Sequence, residues 1–257
     1  MRFLALLTFI IAILSIGLFF GNLQSPYPPS LLGSKLGAAT AEPEATPSPE
    51  TYKILIEELE TKRSQFSQRY NNSNNEAEKQ AIEEEARSLL ESELPTLMKC
   101  WIGTPWDFNG TSDTPGQGKI ACGYFVSTVL RDAGFEVERF RLAQQASQNI
   151  IATFLPRNEL HITASTSYEK FLKQVISRGP GVRIVGLDSH VAFLIVNKDL
   201  SINFIHSSGI RPWAVVNESK NEALVLQASN YRVTGNLTGN SQVIKGWLNQ
   251  SKWPTKT

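Results

Sequence analysis

A cysteine and two histidines lie in an order along the chain that suits nucleophilic catalysis. Cys122 follows a loop-like stretch over residues 103–119, which is rich in Gly, Pro, Asn, Asp, Ser and Thr. The apolar spacing after Cys122 predicts a helix, so Cys122 is expected at or just before its first turn. Unpaired backbone amides and the helix dipole at such a position lower a thiol pKa. Cys122 is therefore the candidate nucleophile.

The two histidines are expected at one end of a β-sheet. Residues 182–187, 190–197 and 202–207 read as three short strands, the last two joined as a hairpin. His190 begins one strand and His206 lies near the end of its antiparallel neighbour, so the two side chains should meet. We expect His190 to act as the base and His206 to orient its ring and fix its tautomer.

Four ordered blocks of the chain carry a resemblance to a known family. They are Gly103-Thr104-Pro105-Trp106 with Gly110, Ala121-Cys122-Gly123-Tyr124-Phe125-Val126, His190-Val191-Ala192-Phe193-Leu194, and Phe204-Ile205-His206-Ser207. In this order they resemble the NlpC/P60 cysteine peptidases of the papain-like superfamily, which cut the peptide stems of bacterial peptidoglycan. The resemblance covers residues 96–210. It implies an α+β fold in which the nucleophile-bearing helix packs on an antiparallel sheet.

The same resemblance implies roles for individual residues. It assigns catalysis to Cys122, His190 and His206, without a cofactor or metal ion. It also makes Trp106 and Gly123 candidates for lining the cleft or the oxyanion site, where the Cys122 backbone N–H would also donate. The expected activity is a thiol-dependent peptidase or amidase acting on peptidoglycan stem peptides or a related amide.

Two positions depart from the family pattern. The family has an acidic residue before the cysteine and a serine after it, to which the resemblance assigns the free amine of the peptide stem. This chain has Ala121 and Gly123 there. The scissile bond can therefore differ from the γ-D-glutamyl-diamino-acid linkage, and Asp107 or Asp113 of the long loop are the candidates for taking over substrate binding.

Other interpretations of the same residues stay open at this point. Cys122 could pair with Cys100 in a disulfide or be an inert core thiol. His190 and His206 could be structural sheet histidines, or could bind a metal ion with Cys122, although no fourth ligand is evident. The loss of the family residues at positions 121 and 123 also fits a catalytically inactive wall-binding or scaffold module.

The remaining sequence predicts export and accessory elements. Residues 3–20 form an uncharged apolar run of 18 residues, long enough for a membrane-spanning helix. The predicted organisation is a signal anchor or signal peptide (1–21), a Pro/Ser-rich linker (22–50), a helical lead-in (51–95) with a kink or restart at Pro95, the catalytic domain (96–215), and C-terminal strands that complete the domain or form an appendage (216–257). The protein is thus expected outside a bacterial membrane, either anchored or secreted.

Composition excludes several other classes. The net charge of +1 gives no field that would attract nucleic acid. Two cysteines cannot support a disulfide scaffold or a cysteine-rich zinc site.

Overall fold

A six-stranded antiparallel sheet flanked by helices forms the centre of the computed structural model, which describes residues 46–257. The helices are α1 (Pro49–Asn72), α2 (Glu76–Lys99), α3 (Cys122–Asp132), α4 (Arg139–Ala143), α5 (Ser147–Phe154), α6 (Tyr168–Ile176), α7 (Leu224–Ala228) and α8 (Ser241–Leu248). The strands are β1 (Glu136–Val137), β2 (His161–Ala164), β3 (Gly181–Leu187), β4 (Val191–Val196), β5 (Ile202–Ser207), β6 (Val215–Ser219), β7 (Tyr231–Asn236) and β8 (Lys252–Trp253). This arrangement confirms the predicted α+β class.

The strands of the sheet follow the order β2-β7-β3-β4-β5-β6. β3 and β4 are buried along their whole length, which explains why they read as continuous apolar runs. One core cluster joins one face of the sheet to α1, α2, α3, α5 and α8, and a second covers the other face with α6 and α7. The three predicted strands around the histidines are confirmed with shifts of at most one residue.

The helical lead-in is a hairpin of two long helices. The predicted break in the Asn-rich stretch is present, because α1 ends at Asn72 and α2 begins at Glu76. The side chain of Asn75 caps α2 by accepting from the Ala77 N–H at 2.9 Å. The predicted restart at Pro95 is wrong, since α2 runs through Pro95 to Lys99.

The lead-in and the C-terminal residues share one compact unit with the sheet, which includes all of the described residues 46–257. Tyr52, Leu59 and Ile82 of the lead-in belong to the same buried cluster as Phe125 of α3. Residues 216–257 supply most of β6 and all of β7, and β7 lies between β2 and β3. The predicted divisions after residues 95 and 215 therefore fall inside one unit.

The expected membrane segment at 3–20, the segment 1–21 and most of the linker 22–50 lie outside the described residues. Within residues 46–257, no helix combines the length and the apolar character needed to cross a bilayer.

Candidate active site

Cys122 is the first residue of α3, as predicted. Ala121 takes the N-cap position with extended backbone angles of φ −84° and ψ 161°, and no side chain caps the helix. Phe125, Val129 and Leu130 are buried in the core and fix the orientation of the helix. The first-turn N–H groups of an α-helix have no intrahelical partner, so the thiol lies where donors are available.

Hydrogen bonds to the backbone hold the chain in place just before Cys122. The Ala121 N–H donates to the Gly110 carbonyl at 2.9 Å. The Ser207 hydroxyl of β5 donates to the Ile120 carbonyl at 2.6 Å and so ties the loop to the sheet. Gly110 is required there, because a Cβ at this position would lie 2.6 Å from the Ile120 nitrogen.

His190 and His206 meet at the end of β4 and β5. His190 immediately precedes β4, and its carbonyl accepts from the Leu187 N–H at 2.8 Å to close the turn. His190 Nε2 lies 2.8 Å from His206 Nδ1, with the ring centroids 4.9 Å apart. His206 is fully buried, whereas His190 is partly exposed. The predicted adjacency of the two histidines is confirmed.

The surroundings of Cys122 activate its thiol. Burial raises the thiol pKa, but the charge and the ring nitrogen of the nearby His190 lower it. The backbone N–H groups of Val191 and Gly123 lower it further, and the net result is a pKa of about 7. A substantial fraction of Cys122 is therefore thiolate at neutral pH, which is the form that attacks carbonyl carbon.

Cys100 has no such activation. Both cysteines are free thiols, so the disulfide interpretation is wrong. Cys100 is buried directly after α2, its sulfur donates to the Thr96 carbonyl at 3.6 Å, and burial raises its pKa. Among residues 46–257, no group of three or more His, Cys, Asp and Glu side chains is placed to hold a metal ion.

A fourth side chain, not predicted from the sequence, extends the contacts of Cys122 and the histidines. Glu218 of β6 places Oε2 3.2 Å from His206 Nε2. Glu218 pairs with Phe204 and Val216 pairs with His206, so Glu218 and His206 are diagonal neighbours on one face of the sheet. Burial and then the charge of Glu222 raise the pKa of Glu218, to about 7. The strand-like pattern after residue 213 indicated a strand at this position. It did not fix the register of that strand against β5, because the length of the connection between them allows several.

The position after the cysteine has a structural explanation. A Cβ at Gly123 would collide with the carbonyl oxygen of Ala143, at the end of α4. The backbone of α4 thus occupies the space that a serine side chain would need. The backbone N–H of Gly123 is among the groups that lower the pKa of the Cys122 thiol.

The remaining candidates lie in the long loop. Trp106 forms an isolated β-bridge with Ile120, two residues before Cys122. The centroid of its ring lies 5.5 Å from that of Trp213. Asp107 forms an ion pair with Lys119 at 3.1 Å. Asp113 is exposed and accepts from the Thr114 hydroxyl. The structure does not bring either aspartate into the contacts around the thiol.

No family model, curated protein or solved structure matches the chain. The functional assignment is therefore carried by the residues around Cys122.

Proposed function

We propose that the protein is an exported thiol-dependent amide hydrolase acting on bacterial cell-wall peptide or a related amide. The observation that carries the proposal is the thiol of Cys122 at a helix start beside His190, which lowers its pKa and is held in turn by His206 at 2.8 Å. Nucleophile, base and orienting group are the parts of a cysteine-hydrolase triad. An inert core thiol would not be expected to have all three.

The reaction follows from these positions. The Cys122 thiolate attacks the carbonyl carbon, and the carbonyl π-electrons move to oxygen to give a tetrahedral intermediate. The protonated His190 donates its proton to the leaving amine, the C–N bond breaks, and a thioester remains on Cys122. His190 then takes a proton from water, whose oxygen attacks the thioester and releases the acid and the thiolate. First-turn N–H groups of α3 are the donors for the oxyanion, with Trp106 as a further candidate.

The substrate class follows from the resemblance to NlpC/P60 peptidases and from the predicted export segment at 3–20. Peptidoglycan stem peptides are outside the membrane, where such an exported protein acts. Ala121 and Gly123 provide no carboxylate or hydroxyl for a free stem amine. A site without a partner for that amine cannot impose the large preference that a paired one does.

A second candidate is a non-hydrolytic wall-binding or scaffold module on the same fold. The observation in its favour is Gly123, where the Ala143 carbonyl fills the space of the family's substrate-binding serine. Binding of peptidoglycan without the release of amines would favour this candidate.

The test is to incubate the purified protein with peptidoglycan and a panel of stem peptides and to identify new amines by mass spectrometry. We expect hydrolysis by the unmodified protein and by Cys100→Ala, and none by Cys122→Ala. Matched peptides with free and blocked amino termini should give similar kcat/KM values. Equal turnover by Cys122→Ala and the unmodified protein, or no turnover by either, would overturn the proposal.

A further inference from the structure

We propose that Glu218 is a positioning residue that sets the proton arrangement of His206 and, through it, of His190. The proposal rests on the proposed function, because its consequence for catalysis requires His190 to be the base for Cys122. Two contacts carry it: His190 Nε2 to His206 Nδ1 at 2.8 Å, and His206 Nε2 to Glu218 Oε2 at 3.2 Å. Cys122 lies beside His190 at the other end of this row.

The direction of each hydrogen bond follows from the last one. A carboxylate only accepts, so His206 must carry its proton on Nε2 to donate to Glu218. A neutral His206 then has a bare Nδ1, which accepts from Nε2–H of His190. This leaves Nδ1 of His190 as the nitrogen that exchanges a proton with the thiol. The carboxylate thereby determines which nitrogen serves as the base.

The burial of His206 makes this control effective. The ring is fully buried, and its centroid lies 4.3 Å from that of Phe204. Burial is the largest cause that lowers the pKa of His206, to well below its ordinary value, and the charge of His190 adds to this. His206 is therefore neutral at physiological pH and has a single N–H, so the partner of Nε2 decides its tautomer.

Glu218 is surrounded by a small set of titratable groups. His206 of β5 touches it, and His190 favours its ionised form. Glu222, which follows β6, disfavours that form, and the charge of Glu218 in turn raises the pKa of Tyr168 on α6. As the pH falls through about 7, Glu218 takes up a proton. A carboxylic acid can donate to His206 Nε2, which reverses each hydrogen bond and places the His190 proton on Nδ1.

The test is the tautomer of His206, read from ¹⁵N chemical shifts of histidine-labelled full-length Cys122→Ala, in which the thiol cannot contribute. Above pH 7 we expect the Nε2–H form. Glu218→Leu removes the acceptor and should shift His206 toward the Nδ1–H form. Glu222→Gln is the matched control, since Glu222 accepts from the Ser219 N–H rather than from histidine. It should keep the Nε2–H form and extend it to lower pH.

Activity provides the second readout. With Cys122 present, Glu218→Leu should lower kcat by about 10- to 100-fold with little change in KM, by analogy with the loss on removing groups that orient metal-binding histidines. Glu218→Gln, whose amide oxygen can accept from His206, should recover part of this loss.

An unchanged Nε2–H tautomer in Glu218→Leu would overturn the proposal. If that variant does not fold, titration of Cys122→Ala through pH 7 decides, because an unchanged tautomer over that range would also overturn it. The tautomer measurement needs no substrate, so a failure of the proposed hydrolase function is distinguishable from a failure of the role of Glu218.

Discussion

The thiols of Cys122 and Cys100 differ in the groups that surround them. For both, burial raises the pKa, but only Cys122 gains the opposing contributions of His190 and of the N–H groups of Val191 and Gly123. The Cys122 thiolate fraction should therefore rise as the pH rises through about 7. Iodoacetamide, which reacts with thiolate, should alkylate Cys122 with a half-maximal rate near that pH and leave Cys100 largely unmodified.

The control for this prediction is His190→Ala. Removal of the imidazole leaves the burial of Cys122 less opposed, so the midpoint of alkylation should move to higher pH. Mass spectrometry of the two cysteine-containing peptides after timed labelling gives both rates. Identical pH profiles for Cys122 and Cys100 would contradict the assigned environments.

Ala121 and Gly123, on either side of the thiol, differ in how they can be changed. Ala121 is the N-cap of α3 and partly exposed, and Asp is among the preferred N-cap residues, so Ala121→Asp should stabilise the protein by about 1 kcal/mol. Gly123→Ser must displace the Ala143 carbonyl and should destabilise it by about 1–3 kcal/mol. Urea unfolding of both variants beside the unmodified protein measures the difference. A free energy of unfolding unchanged by Gly123→Ser would show that α4 moves away readily.

The residues that could be predicted are those with local signals. Cys122 lies between a loop-like stretch and a helical pattern. His190 begins one predicted strand, and His206 lies near the end of the next. Glu218 could not be placed, because seven residues separate β5 from β6 and many registers are compatible with that length. The contact between Gly123 and Ala143 is equally hidden, since it depends on how α4 crosses the start of α3.

Helices were predictable where the apolar periodicity and the capping residues agreed. The apolar stripe of α2 and the Asn-rich break before it predicted both helices of the lead-in. The restart predicted at Pro95 was wrong. It was expected because proline in a helix interior costs about 3 kcal/mol of helix stability. Leu94, Leu97 and Met98 are fully buried on either side of it, and this packing outweighs the cost.

Strand identity was also predictable, but strand order was not. The apolar runs of β3 and β4 are typical of strands covered on both faces. The insertion of β7 between β2 and β3 pairs segments about 70 residues apart, such as His161 with Thr234. Such non-local pairing leaves no local pattern in the sequence.

Side-chain hydrogen bonds connect the lead-in and the C-terminal residues to each other and to the end of α3. The Tyr52 hydroxyl of α1 donates to Asp132 at the end of α3 at 2.9 Å. The Trp247 indole of α8 donates to the Ala133 carbonyl at 2.7 Å. The Thr238 hydroxyl donates to Glu91 of α2 at 3.0 Å. These bonds and the shared core make the lead-in part of the support of the site.

Because the lead-in shares a core with the sheet, a cavity-forming substitution in the lead-in should destabilise the whole unit. Ile82 of α2 is fully buried in the core cluster that also contains Phe125 of α3. Ile82→Ala leaves a cavity and should lower the free energy of unfolding by about 2–5 kcal/mol. Ile54→Ala is the matched control, because the Ile54 side chain is 55% exposed and its removal should change stability by less than about 0.5 kcal/mol.

Far-ultraviolet circular dichroism and tryptophan fluorescence should report one coincident transition in urea, since the helices and the sheet share a core. A lead-in that unfolds separately would instead give an early transition in circular dichroism, with the Cys122 alkylation rate unchanged across it.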